Sequence, residues 1–227
     1  AASVAVVVAG SVAGWVADAL ESGRYLFVFG TGHSHLLAEE LFYRAGGLAR
    51  VIPILEEPLM LHRGAAESTQ LERRTGYAAE ILERYPVGPG DVVIIASNSG
   101  RNAVPIEMAQ RARDRGARVA ALTSRRQCTA WPSRHPSGQK LIDVAEVVLD
   151  NGVQDGDASV EVPGLEQRVG PTSSLLGILL LNLIVVEAVD QAVRRGFRPD
   201  LFISSNAGGD EHNAQLIQRM KQVNPHL

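Results

Sequence analysis

The chain has 227 residues, 45% hydrophobic and 21% charged, enough for one α/β domain with a sizeable core. Its net charge is −3 and its basic clusters are pairs such as Arg73-Arg74, which excludes a nucleic-acid binder working by bulk charge. The lone cysteine, Cys128, excludes an internal disulfide and fits a reducing compartment, the cytoplasm; no Cys/His spacing suits zinc, so no metal is expected. Residues 1–20 lack a basic leader and carry Asp18, so they read as a small-residue helix rather than a signal peptide. The start at Ala1 reads as a trimmed or incomplete N-terminus.

An apolar run at 25–29 ending at Gly30 reads as a buried strand. A helix follows at 35–45, closed by Gly46-Gly47. Residues 49–55 form the second strand, 67–85 have helical character, and 91–96 is the clearest strand. A helix over 104–115 carries Pro105 in its first turn, where the missing N–H costs nothing. Strands at 119–122 and 144–149 complete five, and the polar, Gly-rich segment 151–170 reads as a loop. The apolar helix at 173–194 contains a run, 175–189, about one turn too short to span a bilayer, so no membrane is expected. A last helix covers 211–223. The pattern predicts a doubly wound α/β domain over 1–227, a three-layer sandwich around a parallel sheet of order 2-1-3-4-5.

In such a sheet the ligand sits beyond the carboxyl ends of the strands, at the switch point. Two loops rich in small polar residues leave strand ends there: Gly30-Thr31-Gly32-His33-Ser34-His35 and Ser97-Asn98-Ser99-Gly100-Arg101-Asn102. The second runs into a helix N-terminus, where free N–H groups and the macrodipole favour an anion. Ser97, Ser99 and Asn102 can each donate to phosphate, and Gly100 lets the backbone approach. Capping alone needs one such residue. Arg101 either adds a cationic contact or points to solvent. Gly30 and Gly32 match two glycines of a dinucleotide fingerprint, but His35 stands where the third belongs.

Together these loops resemble the SIS (sugar isomerase) family of phosphosugar isomerases and phosphosugar-binding domains, whose fold is flavodoxin-like. Residues 30–34 are similar to the first loop of phosphoheptose isomerases, and 97–100 to the family's phosphate loop. Gly-Pro-Thr-Ser-Ser at 170–174 resembles the opening of the long helix in arabinose-phosphate isomerases, and residues 181–184 resemble the muramic-acid-phosphate etherases. Most alike is an uncharacterised sugar-isomerase-domain family, over 29–47, 97–102 and 149–151. The resemblance implies a sugar-phosphate ligand, bound through Thr31, Gly32, Ser34, Ser97, Asn98, Ser99, Gly100, Asn102, Ser173 and Asn206. It also implies aldose–ketose isomerisation through an enediol with no cofactor, in a homodimer or homotetramer. A non-catalytic phosphosugar sensor and an amino-sugar-phosphate lyase or etherase are the alternatives.

The chain departs from the arabinose-phosphate isomerases where their His-Pro-Gly-Gly motif becomes Asn206-Ala207-Gly208-Gly209. Asparagine cannot titrate near neutrality, so another group must act there. The candidate acids and bases are Glu40, in a segment similar to a catalytic one of phosphoheptose isomerases, with His33, His35 and His212. His62 and Glu67 lie beyond the second strand, where a helix can fold back over the site or contact a partner subunit. The helix at 173–194 is apolar nearly all round, which calls for cover on several faces and so for an oligomer.

Overall fold

The computed structural model describes residues 2–227, with side chains from Ala9 onward. Helix α1 (Ala2–Glu21) leads into β1 (Leu26–Gly30), α2 (His35–Leu41) and β2 (Val51–Ile54). Two short helices, α3 (Ala65–Leu71) and α4 (Tyr77–Leu82), precede β3 (Val92–Ala96). Then come α5 (Ala103–Asp114), β4 (Arg118–Thr123), α6 (Arg125–Ala130), α7 (Leu141–Val144) and β5 (Val147–Asp150). A small hairpin of β6 (Ala158–Val160) and β7 (Val169–Pro171) leads to α8 (Ser173–Arg194) and α9 (Asp210–Met220).

The five strands β1 to β5 pair in parallel in the order β2-β1-β3-β4-β5, as the alternation of strands and helices predicts. The strands are apolar at successive positions because both faces are covered. Phe27, Phe29, Ile52, Ile54, Val93 and Ile95 point toward α4, α5 and α7. Leu26, Val28, Val92, Ile94 and Ala96 point toward α1, α2 and α8. This is the doubly wound three-layer architecture, with its switch point between β1 and β3.

The structure corrects several boundaries. The helix expected at 35–45 stops at Leu41, because Phe42 turns extended and Tyr43 takes a φ of 48°. Tyr43 leaves the helix to set its ring edge-on to Phe202, at 5.0 Å. The segment 67–85 is two helices: Gly76 is left-handed and its N–H donates to Glu107 at 2.7 Å. The expected loop 151–170 contains the β6–β7 hairpin, and the short helices α6 and α7 add to the expected elements, α6 starting at the N-cap Ser124, whose hydroxyl accepts the Gln127 N–H.

Helix α8 packs Gly177, Leu181, Ile184, Val185 and Ala188 inward, against α1, α2 and the sheet. Gly177 belongs there because a Cβ would meet Leu37 Cδ2 at 2.7 Å. The opposite face is bare: Leu175 is 69% exposed, Val186 66%, and Leu179 and Leu183 more than half. Among the described residues α8 is the one helix long and apolar enough to cross a membrane, but its inner face is built into the core.

Candidate functional site

At Gly30 the chain turns sharply, and a Cβ there would overlap the Ser34 backbone. Gly30 pairs with Ala96 in the register of β1 and β3, so the loops that follow them face each other. Between them lies a narrow cleft lined by Ser34, Ser97, Asn98, Asn151, Ser173 and Ser174, with no charged side chain among its lining residues. Ser97 is buried and its Oγ accepts the Gly100 N–H at 3.2 Å. The Asn98 amide is fixed from both ends: Nδ2 donates to Gln127, and Oδ1 accepts from Asn151 at 2.9 Å. Gly100 has a φ of 57°, and a Cβ there would stand 2.9 Å from Cys128 Sγ. Cys128 is therefore the floor of this loop. Burial pushes its thiol up from the ordinary value, which keeps it protonated and unreactive.

Asn102 occupies the N-cap position of α5, yet its side chain makes no capping bond. Instead Nδ2 donates to Glu72 Oε1 at 2.7 Å, and Oδ1 accepts from Arg134 at 3.0 Å. Glu72 follows the last residue of α3, which folds back over the loops. Its other oxygen accepts the Thr31 hydroxyl at 2.7 Å. One carboxylate thus joins the loop after β1 to the loop after β3. Burial raises its pKa above the ordinary 4.5, against the pull of the Thr31 hydrogen bond and the charges of Arg73 and Arg134. The sequence reading missed Glu72. It lies in an apparently continuous helix and in no motif, and it reaches the loops because α3 ends at Leu71 and leaves Glu72 at its C-cap.

Of the other sequence candidates, His35 is buried, with Nδ1 hydrogen-bonded to the Gly32 carbonyl and Nε2 at 3.8 Å from Glu39. His33 is exposed on the same loop. His62 comes edge-on to His35, ring centroids 6.4 Å apart. Glu40 is not brought to the cleft. It pairs with Arg44 at 2.9 Å and accepts from Asn182 of α8 at 3.2 Å, in a separate groove. Ser173 lines the cleft, but its hydroxyl donates to Asp157 at 2.6 Å. The same carboxylate accepts the Thr172 and Ser173 N–H groups that open α8.

Asn206 and His212 are also not brought to the cleft of their own chain. His212 Nε2 bonds the Leu201 carbonyl at 2.9 Å, and Leu201 bridges to Leu48, just ahead of the start of β2. The segment carrying both residues is thus held at the opposite end of the sheet, by pairing that the sequence does not display.

The family model for the SIS domain matches residues 10–124. A UPF0309 protein of Listeria innocua is 44% identical over 213 residues, 93% of this chain and 86% of its own length. One from Brucella canis is 44% identical over 214 residues, with the same coverage. Among solved structures, the phosphoheptose isomerase of Neisseria gonorrhoeae is similar with a TM-score of 0.50 and 18% identity, over 85% of this chain and 89% of that one. The Vibrio vulnificus NanR protein, solved with ManNAc-6P, is similar with a TM-score of 0.50 and 18% identity, over 94% of this chain and 61% of its own. At such identity the likeness is one of fold.

Proposed function

This chain belongs to the SIS domain family, and from that premise we propose that it binds a sugar phosphate in the cleft and interconverts its aldose and ketose forms. The observation that carries the reading is the junction of the two loops through Glu72. It sets a half-buried carboxylate of raised pKa on the two loops that flank a cleft lined by uncharged donors. The phosphoheptose isomerase and the ManNAc-6P-bound NanR protein share this fold, and the chemistry in their names supports a phosphosugar as ligand.

The hydroxyls of Ser34, Ser97 and Ser99, with the amides opening α5, hold the phosphate. Glu72 takes the proton from C2 of the open-chain aldose, and the C–H electron pair becomes the double bond of an enediol. The proton returns at C1 to give the ketose. Thr31 and Asn102 hold the carboxylate in place and supply its hydrogen bonds. At His35, Nδ1 is engaged by the Gly32 carbonyl, so Nε2 is the nitrogen left to shuttle protons between O1 and O2. The bare face of α8 is the surface on which we propose a second copy packs.

The test is incubation with a panel of aldose and ketose phosphates in deuterated water. Incorporation of deuterium at C2 together with interconversion is expected. Binding without exchange replaces the isomerase by a sensor, and loss of a C3 substituent replaces it by a lyase.

A further inference from the structure

Three arginines from separate parts of the chain meet at the start of α5. Arg73 follows Glu72, whose carbonyl accepts the Val104 N–H of α5 at 3.1 Å. Arg101 precedes Asn102 and lies 5.9 Å from the centre of the Trp131 ring. Arg134 is drawn in by its backbone N–H, which donates to the Arg101 carbonyl at 2.8 Å, and by its guanidinium on Asn102. Among the described residues none of the three pairs with a carboxylate. The Nε atoms of Arg73 and Arg101 are buried and unpartnered. Glu72, on which Arg73 and Arg134 act, gives its two oxygens to the neutral donors Thr31 and Asn102. Burial, then the charges of Arg101 and Arg73, lower the pKa of Arg134.

Three guanidiniums beside one carboxylate leave positive charge uncompensated, which is costly where it is partly desolvated. The forked donors of arginine match a carboxylate or a phosphate. The cleft, by contrast, is lined without charge. The loop 97–102 contributes to both: Ser97 and Asn98 line the cleft, and Arg101 stands in the cluster. The two are separated by at most about 14 Å of chain.

We infer that Arg73, Arg101 and Arg134 form a second anion subsite, and that the substrate is a sugar phosphate bearing a further anionic group, a carboxylate or a second phosphate, at a position other than the reacting C1 and C2. This rests on the cleft being the phosphate site.

The test is calorimetry, with Trp131 fluorescence as a second readout, using glucose 6-phosphate, 3-O-carboxymethylglucose 6-phosphate and glucose 3,6-bisphosphate. Wild type is expected to bind at least one of the doubly anionic ligands tenfold or more tighter than glucose 6-phosphate. Which of them gains identifies the group as carboxylate or phosphate. In the variant combining Arg73→Gln and Arg134→Gln that advantage falls to twofold or less. Equal affinity of wild type for all three ligands overturns the subsite and leaves the phosphosugar reading standing. So does a variant that weakens glucose 6-phosphate as much as the double anions, since the arginines would then hold the single phosphate. If no sugar phosphate binds wild type, the phosphosugar reading falls and takes the subsite with it. Should the variant fail to fold, the wild-type comparison decides alone.

Discussion

The Thr31 hydroxyl donates to the Glu72 carboxylate at 2.7 Å, across 41 positions of sequence, and so ties the end of β1 to the helix that follows β2. Asn102 makes the matching bond from the β3 side at 2.7 Å. A carboxylate in this position braces the loops and, in the proposed reaction, is also the base; the two roles separate on substitution. In Glu72→Gln the Thr31 hydroxyl can turn to accept from the new amide, so the brace persists. Isomerase turnover is expected to fall roughly 10²-fold or more, and the acidic limb of the pH–rate profile should disappear. The stability sign is fixed by the raised pKa. The folded state holds the Glu72 proton more tightly, so the stability contributed by its neutral form is present below pH 4.5 and lost as pH rises through the raised value. The variant should therefore melt no lower than wild type at neutral pH, and any gain should vanish below pH 4.5.

Removing hydroxyls from the phosphate loop tests the binding cleft. Ser97→Ala with Ser99→Ala removes two hydroxyls and should weaken sugar-phosphate binding by at least roughly 1.5–3 kcal/mol, the scale of a single hydrogen bond to a charged group. Ser97 Oγ also accepts the Gly100 N–H, so the melting temperature must be followed alongside calorimetry. An unchanged affinity removes the loop from the phosphate site.

The bare face of α8 predicts assembly. Leu179 and Leu183 stand one turn apart and exposed, while Leu181 and Ile184 are buried on the inner face. Leu179→Glu with Leu183→Glu should convert a homodimer or larger oligomer to monomer in sedimentation velocity, with the far-ultraviolet circular dichroism unchanged. A wild-type monomer at micromolar concentration refutes the assignment.

Acid should loosen the C-terminal segment. Burial lowers the pKa of His226 below the ordinary 6.5, against a hydrogen bond with the Pro53 backbone, while its Nε2 meets the Tyr85 hydroxyl at 2.9 Å. As pH drops below 6.5 the unfolded chain takes up a proton that the folded chain refuses. Stability is then lost until the folded ring is protonated too. His226→Gln should flatten that part of the stability–pH curve, measured by urea unfolding at stepped pH.

The layer order is legible in the local pattern of the chain, and so are the two polar loops that meet at the switch point. Apolar runs such as 92–96, punctuated by glycine and separated by helical segments, allow little except a parallel sheet covered on both faces. Small polar residues after β1 and β3 then mark the switch point. Those signals are local, because periodicity, turn chemistry and helix starts are written within a few residues. Which side chains converge is set instead by the packing of the whole chain. Glu72 carries no local mark and joins the two loops because α3 ends at Leu71 and its C-cap meets Thr31 and Asn102. Glu40 has the motif-like setting, but the direction of α2 aims it at Asn182. Asn206 and His212 follow the chain to the far end of the sheet, because Leu201 pairs with Leu48 there. Contacts of this kind depend on the relative rotation of elements distant in sequence, and that rotation is set by packing of the whole core.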